Sequence, residues 1–393
     1  MLRPLLPLAV ALAACNSGAA APAPRPAPAP ATARAAPHDA GVDADLRGLS
    51  GGKLYATLCA PCHAADGHGY AADHAPSLIT QTFLESASDD FLRRSIAAGR
   101  PGTSMAAYSQ AFGGPLDSAA VDSLVAYLRG LGPAARPLAA VASGDAAAGQ
   151  AIYVARCQSC HGDRTTRGEA SSLGNRQFLL AATDSFIRHA IVNGRPGTKM
   201  VGFAGQLTDP EIDNVVAYVR SLGKDGADIT PLAAPTGSEP IVLNPKGKAP
   251  KFSMRADPCP PPGPGAPPCT PDPRFVSVAD VAAALAAKRR IVIIDARPPS
   301  EWMRVHITGA VSIPYHDLKR LDEIPKDGTW VIAYCACPHH LSGIVVDELR
   351  KRGYAHSAVL DEGINDWHRR GFPVVAAQGV TKPPAEPALP KLH

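Results

Sequence analysis

A duplicated motif constrains this chain of 393 residues more than any other feature. The pattern C-x-x-C-H occurs at residues 59–63 and again at residues 157–161. Each copy follows a Gly-x-x-x-Tyr pattern and precedes a Gly-Arg-Pro-Gly-Thr-x-Met segment, at residues 99–105 and 194–200. A Val-Ala-Tyr-x-Arg pattern in an apolar helical stretch closes each copy. The repeat predicts two copies of one small helical domain, each ordered as helix, motif, loop, short helix, methionine segment and C-terminal helix.

The C-x-x-C-H spacing is typical of covalent haem attachment. On a helical turn, cysteines at i and i+3 share a face and reach the porphyrin vinyl groups, while the histidine at i+4 points its imidazole at the iron. A lone C-x-x-C also occurs in redox dithiols and zinc sites, but the following histidine, present twice, argues against both. The predicted haem residues are Cys59, Cys62 and His63 in the first copy, and Cys157, Cys160 and His161 in the second.

These elements together resemble class I cytochrome c domains, and the resemblance extends over residues 49–223. It implies two haem c groups, with Met105 and Met200 as the sixth iron ligands. The alternative is that both methionines fill the core, which is the commoner role of methionine. The remaining histidines, including His68, His74 and His189, are expected in loops or at the surface rather than on iron. Methionine ligation closes the iron to substrates, so electron transfer is the expected function.

The N-terminus predicts export. Arg3 precedes an apolar stretch at residues 5–14 that is too short for a permanent membrane span and is typical of a signal peptide. Its end, Leu-Ala-Ala-Cys at residues 12–15, resembles a bacterial lipobox, which implies that Cys15 is lipidated. The alternative is an ordinary signal peptide that leaves Cys15 as a thiol. We expect a lipid-anchored protein at the periplasmic face of a bacterial membrane.

Composition divides the remaining chain. With 40 Pro and 35 Gly but only 5% aromatic residues, either much of the chain is linker, or a group other than Phe and Trp fills the cores, as the implied haems would. The formal charge of +4 is too small to indicate nucleic-acid binding. In the Pro/Gly-rich linker, Cys259 and Cys269 are expected to form a small disulfide loop, with two thiols as the alternative. The predicted segments are a signal peptide at 1–14, a tether at 15–48, cytochrome c domains at 49–134 and 140–224, the linker at 225–273, a C-terminal domain at 274–378 and a tail at 379–393.

The C-terminal segment alternates predicted helices and strands. Residues 278–288 and 341–352 favour helices, whereas the apolar runs at 291–294 and 330–334 favour buried strands. This alternation predicts an α/β domain with a parallel sheet. Cys335 follows directly after the second strand, at the carboxyl end, where such sheets place their sites. The predicted fold class is therefore multidomain, with two all-α domains before an α/β domain.

The segment resembles the rhodanese family over its whole length. The matching residues are Asp295-Ala296-Arg297 with Glu301, His306-Ile307-Thr308-Gly309-Ala310, Tyr334-Cys335, and Glu362-Gly363-Ile364-Asn365-Asp366-Trp367. The resemblance implies a loop cysteine that carries a persulfide. It also implies that backbone N–H groups and the start of the next helix lower the thiol pKa.

The loop departs from the family pattern because it contains Cys335 and Cys337, has Pro338 in place of a glycine and lacks a terminal arginine. The position directly after the strand favours Cys335 as the sulfur acceptor, whereas the register counted from Gly353 favours Cys337. The loop is compatible with a sulfurtransferase, with a persulfide relay through both thiols, or with an inactive binding domain. A metal site formed with His339 and His340 is the weakest alternative, because Pro338 and adjacent ligands hinder tetrahedral closure.

Two functions of different class follow. In the first, the chain couples sulfur metabolism to electron transfer, with thiosulfate, polysulfide or another sulfur donor as substrate and redox proteins as partners. In the second, it is a pure respiratory electron carrier whose C-terminal domain is an inactive binding module. Fusion of the domains favours the first.

Overall fold

A computed structural model describes residues 46, 48–69, 75–163, 166, 168–223, 229–257, 271–336 and 340–383. The predictions for the signal peptide, the lipidated Cys15, most of the tether, the Cys259/Cys269 disulfide and the C-terminal end of the tail lie outside these residues. His74, Cys337 and His339 also lie outside them. We refer to residues 49–134 as the first unit, to 140–224 as the second unit and to 274–378 as the C-terminal domain.

The two units are helical and follow the same order of elements. In the first unit the helices are Gly51–Leu54, a π-helical turn Tyr55–Cys59, Ala60–His63, Gln81–Leu84, Asp89–Ala98, a 3-10 turn Gln110–Phe112 and Ser118–Arg129. In the second they are Ala146–Arg156, Gln158–His161, Arg176–Ala181, Asp184–Asn193 and Asp209–Ser221. The predicted order of helix, motif, short helix, methionine segment and C-terminal helix is confirmed for both.

Matching N-caps start the central helix of each unit. The Ser88 side chain accepts a hydrogen bond from Phe91 N, and the Thr183 side chain accepts one from Phe186 N. Such caps satisfy backbone N–H groups that have no partner within the helix. The same local chemistry therefore fixes the beginning of both helices.

Glycine brings the first and last helices of each unit into backbone contact. A Cβ on Gly51 would lie 2.1 Å from the Ser123 carbonyl oxygen, and a Cβ on Gly149 would lie 1.9 Å from that of Asn214. No larger residue fits at either crossing without separating the helices. One turn after each glycine, a tyrosine packs on the tyrosine of the closing pattern, with ring centroids 5.2 Å apart for Tyr55–Tyr127 and 5.1 Å apart for Tyr153–Tyr218.

Four phenylalanines join the two units. Phe91 stacks on Phe186 with ring centroids 4.4 Å apart, and Phe83 and Phe178 surround this pair. Arg100 of the first unit lies over Phe178 of the second, while Arg195 of the second lies over Phe83 of the first. Each arginine thus contacts the other unit's copy of the same phenylalanine. The two units are therefore related by an approximate two-fold axis.

The C-terminal domain is built on a mostly parallel sheet. The described strands are β1 (Arg255–Asp257), β2 (Asp272–Val276), β3 (Ile291–Asp295), β4 (Val305–Ile307), β5 (Val311–Ser312), β6 (Trp330–Tyr334), β7 (Ser357–Leu360) and β8 (Val374–Ala376). The main sheet has the order β1-β2-β7-β6-β3-β5, and all its pairs are parallel except β1 with β2. Strands β4 and β8 form a separate antiparallel pair. The predicted α/β domain with a parallel sheet is confirmed.

Helices cover both faces of this sheet. They are Val278–Ala286, Pro299–Trp302, the 3-10 turn Lys319–Glu323, His340–Lys351 and Gly363–Arg369. The first ends two residues before its predicted limit, and His340–Lys351 begins one residue earlier than predicted. Continuous burial of β3 and β6 explains their unbroken apolar sequences.

Two clusters of apolar side chains form the core. One is continuous from both helical units into one face of the main sheet, where it includes Tyr315, Val331 and Leu341. The other covers the opposite face and includes Ile293, Trp302 and Trp367. The C-terminal domain is thus packed against the helical units through shared core. Across the described ranges, no helix combines the length and apolar character that a membrane span requires.

Candidate functional site

The first C-x-x-C-H segment, which we call the first motif turn (residues 59–63), begins where the π-helical turn ends. Cys59 has φ −107° and precedes the short helix Ala60–His63, so both thiols project from one bend. Cys59 and Cys62 form no disulfide. Burial raises the pKa of the Cys59 thiol to about 12. This thiol is therefore neutral at physiological pH.

The second motif turn (residues 157–161) has the same arrangement. Cys157 has φ −122° at the bend before the helix Gln158–His161, and neither Cys157 nor Cys160 is in a disulfide. Burial, assisted by Cys160, raises the pKa of Cys157 to about 11. Redox dithiols and zinc ligands need stabilised thiolates. The burial that raises the pKa of Cys59 and of Cys157 is compatible with thiols that become thioethers.

Both motif histidines are oriented through one ring nitrogen. His63 Nδ1 donates to the Pro76 carbonyl at 3.0 Å, and His161 Nδ1 donates to the Ser171 carbonyl at 2.8 Å. Burial lowers the pKa of both rings, which keeps them neutral. A neutral imidazole with Nδ1–H bound to a carbonyl offers Nε2 as a metal ligand. The residues present therefore fit a haem iron at each turn.

A tyrosine fixes the exit from each motif turn. The Tyr55 hydroxyl donates to the Ala64 carbonyl at 2.9 Å, and the Tyr153 hydroxyl donates to the Gly162 carbonyl at 2.8 Å. The Gly-x-x-x-Tyr pattern thus serves two purposes. Its glycine allows the close helix crossing, and its tyrosine holds the residue after the histidine.

The two methionine segments also form the same hydrogen bonds. Arg100 N donates to the Met105 carbonyl at 2.7 Å, and Arg195 N donates to the Met200 carbonyl at 2.8 Å. The threonine of each segment bonds the arginine carbonyl and accepts from the methionine N–H at 3.1 Å. Both methionines are half-buried. Their role as iron ligands stays a prediction.

His189 does not follow the sequence expectation. It was expected in a loop or at the surface, but it lies in the helix Asp184–Asn193 and only 8% of it is exposed. Its Nε2 lies 3.1 Å from Oε1 of Glu85 in the first unit and 3.1 Å from an Nη atom of Arg136, which follows that unit. Interface packing between the units explains this burial. His68 is exposed in a loop, as expected.

In the C-terminal domain, Cys335 lies directly after β6 and is buried. Its Sγ lies 3.3 Å from Ser342 Oγ, in the first turn of the helix His340–Lys351. The Cys335 carbonyl accepts from Ile364 N at 3.0 Å. Gly363, with φ +64°, allows this approach, because a Cβ there would lie 2.5 Å from the same carbonyl oxygen. The loop cysteine is therefore held between β6 and two helix starts.

A network of buried charged side chains lies beside the carboxyl end of β6. Arg297 Nη2 donates to Asp295 Oδ2 at 2.7 Å, and the Tyr334 hydroxyl donates to the same oxygen at 2.8 Å. Burial opposes the charge of Arg297, but Asp295 outweighs it and the pKa of Arg297 is raised. Burial also raises the pKa of Glu301, which lies 3.4 Å from Arg297 Nη1. The Asp-x-Arg pattern thus fixes Tyr334 and, with it, the entrance to the loop.

The C-terminal domain meets the first unit at its motif turn. His340, at the start of its helix, donates from Nδ1 to the Pro61 carbonyl, and Pro61 lies between the two cysteines of the first motif turn. Tyr315 and Tyr108 both reach the Leu58 carbonyl. Sequence reasoning missed these tyrosines, because neither belongs to a repeated pattern. The counterpart of Tyr108 in the second unit is Phe203.

Fold and sites together define the class: a tandem c-type cytochrome joined to a rhodanese-like domain. The family model "Cytochrome C oxidase, cbb3-type, subunit III" matches residues 47–128 and 144–219. The model "Rhodanese-like domain" matches residues 277–370. The two helical units are thus similar to cbb3-type cytochrome c domains, and the chain belongs to the rhodanese-like family through its C-terminal domain.

Similar proteins divide in the same way. A cbb3-type cytochrome c oxidase subunit CcoP of Azospirillum sp. is 28% identical over 203 residues, which cover 46% of this chain and 65% of that protein. A dihydro-heme d1 dehydrogenase of Pseudomonas aeruginosa is 40% identical over 82 residues, covering 21% of this chain and 16% of that protein. The chain thus spans less than two thirds of both. A sulfurtransferase of Allochromatium vinosum is 33% identical over 103 residues, covering 24% of this chain and 88% of that protein.

Proposed function

We propose that the chain carries two haem c groups, one on each motif turn. The thiols of Cys59, Cys62, Cys157 and Cys160 would form the thioethers, with His63 and Met105 on one iron and His161 and Met200 on the other. The support is the matched geometry of the two turns and the two methionine segments. When bound, such a haem accepts or donates one electron.

Haem stoichiometry tests this assignment. The intact mass of the protein after acid-acetone extraction should exceed that of the polypeptide by two haems, because thioether bonds survive extraction. The double substitution Cys157→Ala/Cys160→Ala should remove one haem and leave the other. A mass that corresponds to one haem or none in the unsubstituted protein contradicts the proposal.

The electron-transfer units are proposed to act outside the cytoplasm, anchored at the periplasmic face of a membrane through lipidated Cys15. The signal peptide, tether and domain limits predicted from the sequence are part of this proposal. The cbb3-type relative supports a respiratory setting with redox proteins as partners. The second motif turn suits such a partner, because Ser159 and Cys160 are exposed on it. Globomycin-sensitive processing and incorporation of labelled palmitate, lost in Cys15→Ala, would test the anchor.

The C-terminal domain is proposed to carry sulfane sulfur on Cys335. Its thiolate would attack the outer sulfur of thiosulfate, forming a new S–S bond while the S–S bond of thiosulfate breaks and sulfite leaves with the electron pair. A nucleophile such as cyanide then takes the outer sulfur and returns the thiolate. The sulfurtransferase relative supports this chemistry.

One observation carries the coupling of the two activities. Ser342, whose Oγ lies 3.3 Å from Cys335 Sγ, and His340 share the first turn of one helix, and the His340 ring bonds Pro61 within the first motif turn. The sulfur-carrying site and a haem-binding turn are therefore neighbours. We propose that the chain couples sulfur metabolism to electron transfer, rather than serving as a pure electron carrier with an inactive module.

Adding thiosulfate or polysulfide to the oxidised holoprotein tests the coupling. Transfer of sulfane sulfur to Cys335 releases no electrons by itself, so haem reduction, seen as the reduced α-band, would report oxidation of the sulfur held there with ferric haem as the oxidant. Cys335→Ser should abolish this reduction. Thiocyanate formation from thiosulfate and cyanide tests sulfur transfer separately. If neither thiocyanate nor reduced haem forms, the electron carrier with an inactive binding domain is the correct function.

A further inference from the structure

A small set of residues joins the C-terminal domain to the first unit, and we call it the junction. The Tyr315 hydroxyl donates to the Leu58 carbonyl at 2.8 Å and lies 3.0 Å from the Tyr108 hydroxyl, which is 3.1 Å from the same carbonyl. Both tyrosines are buried. Ser300 Oγ adds a bond of 2.7 Å to the Ala107 carbonyl. The junction consists of Leu58, Pro61, Ala107, Tyr108, Ser300, Tyr315 and His340.

The junction reaches the sulfur site through a single helical turn. His340 and Ser342 both lie in the first turn of the helix His340–Lys351. His340 bonds the Pro61 carbonyl, and Ser342 Oγ lies 3.3 Å from Cys335 Sγ. One turn of helix therefore separates the thiol from the backbone that joins Cys59 to Cys62.

Among the described residues, none of the C-terminal domain forms a hydrogen bond with the motif turn of the second unit. The repeat aligns Leu58 with Arg156 and Pro61 with Ser159. Leu58 and Pro61 are buried, whereas Arg156 and Ser159 are exposed. The two repeats share their internal hydrogen bonds, so this difference arises from the position of the C-terminal domain.

We propose that the junction is the electron entry of the chain: the C-terminal domain is a built-in redox partner of the first unit alone. This inference rests on the proposed function and adds the route and the substrate class, inorganic sulfide. An iron closed by histidine and methionine cannot bind sulfide, so electrons must arrive through surrounding protein. The junction is where protein from the sulfur site contacts a motif turn.

The oxidation balances with two electrons. The Cys335 thiolate and a hydrosulfide ion form one S–S bond, the S–H bond of hydrosulfide breaks, and its proton goes to solvent. The product is the Cys335 persulfide anion, and two electrons leave. Ferric c-type haem is the oxidant and takes one electron per iron, so the two haems of one chain match one persulfide formed.

The test compares a junction variant with a matched control in the full-length oxidised holoprotein. Tyr315→Phe/His340→Ala removes the hydrogen bonds that the Tyr315 hydroxyl and the His340 ring make in the junction. Tyr354→Phe/His356→Ala makes the same two substitutions elsewhere in the C-terminal domain, where the Tyr354 hydroxyl bonds the Leu321 and Ile324 carbonyls. Cys335→Ser measures direct reduction of haem by sulfide. Each protein is mixed anaerobically with sodium sulfide, and haem reduction is followed by stopped-flow absorbance.

Loss of these hydrogen bonds should slow the Cys335-dependent reduction of haem roughly tenfold in the junction variant. The control variant should be reduced at the rate of the unsubstituted protein. Hydrogen exchange gives a readout that needs no turnover. Amides at residues 54–63 should exchange faster in the junction variant, and those at 152–161 should not change. Thiocyanate formation from thiosulfate should persist in the Tyr315→Phe single variant.

Two results overturn the inference, and they can be told apart. If sulfide reduces the junction variant at the unsubstituted rate and exchange at residues 54–63 is unchanged, the junction is not the route, although coupling stands. If the unsubstituted protein is reduced no faster than Cys335→Ser, the coupling itself is wrong.

Discussion

The ring of Phe91 in the first unit stacks on the ring of Phe186 in the second, with centroids 4.4 Å apart. Both rings follow equivalent N-caps in the repeat, so one sequence position packs on its own copy. We expect Phe91→Ala to destabilise the helical units by about 3–5 kcal/mol, the usual cost of removing a buried phenylalanine ring. Denaturant unfolding followed at the haem absorbance would measure this. Phe112→Ala removes an exposed ring from the same unit and should cost far less.

Substitution of the methionines tests the axial ligands. Met105→Ala and Met200→Ala should each lower the midpoint potential of one haem by roughly 0.1 V or more, within the range of ~0.8 V that axial ligands span. Each should also weaken the methionine-to-iron charge-transfer band. Met254→Ala, outside both units, should change neither property. Unaltered potentials and spectra in both single variants would assign the sixth position to another residue.

The loop cysteines are predicted to differ in function. Cys335→Ser should abolish sulfur transfer from thiosulfate to cyanide, because it removes the thiol at the end of β6. Cys337→Ser should leave a persulfide that accumulates and turns over slowly. Mass spectrometry of the loop peptide after incubation with thiosulfate would locate the added sulfur. Sulfur on Cys337 alone would reverse the assignment, and haem spectra should be unchanged in both variants.

Arg297 should be essential for the stability of the C-terminal domain. Arg297→Met leaves Asp295 and Glu301 buried without their cation, which costs about 3–5 kcal/mol in comparable networks. Urea unfolding can be followed by tryptophan fluorescence, because all 3 tryptophans of the chain lie in this domain. Arg370→Met removes the ion pairs with Glu362 and Asp366 at a partly exposed site and should cost about 1 kcal/mol or less. Equal losses in the two variants would refute the importance of the buried network.

Acid should destabilise the same domain through His316. Burial lowers the pKa of His316 from its ordinary value of 6.5 to about 4. Between these values the unfolded chain takes up a proton that the folded domain does not. Stability is therefore complete above pH 6.5 and is lost as the pH falls toward 4, by about 2 kcal/mol at pH 5. Urea unfolding at pH 7 and pH 5 measures the decrease in the free energy of unfolding. This decrease should be smaller in His316→Gln than in the unsubstituted protein by about 2 kcal/mol. An unchanged loss would contradict the assignment.

Much of the fold could be predicted from the sequence, because the decisive signals are local or repeated. The C-x-x-C-H turns and the apolar run that forms β6 can each be predicted from their own residues alone. Burial on both faces requires β6 to be apolar throughout, and the strand bounds 330–334 were predicted without error. Helix ends were displaced by one or two residues, since terminal turns depend on capping and packing.

The arrangement of the domains could not be predicted in this way. His189 was expected at the surface because nothing in its own helix signals Arg136 and Glu85, which come from another part of the chain. The hydroxyl contact between Tyr108 and Tyr315 joins residues that are distant in sequence and carry no pattern. Such contacts form only when folded domains pack on one another. They produce no periodic pattern in the sequence from which they could be predicted.

The contact of the C-terminal domain with the first motif turn also constrains the order in which the protein is assembled. Pro61, which His340 of the C-terminal domain contacts, is buried, whereas the equivalent Ser159 is exposed. An attachment apparatus that grips the first C-x-x-C-H segment can reach it only before that domain docks. On the proposed function, the first haem is attached before the C-terminal domain docks, whereas the second motif turn stays accessible to attachment after docking.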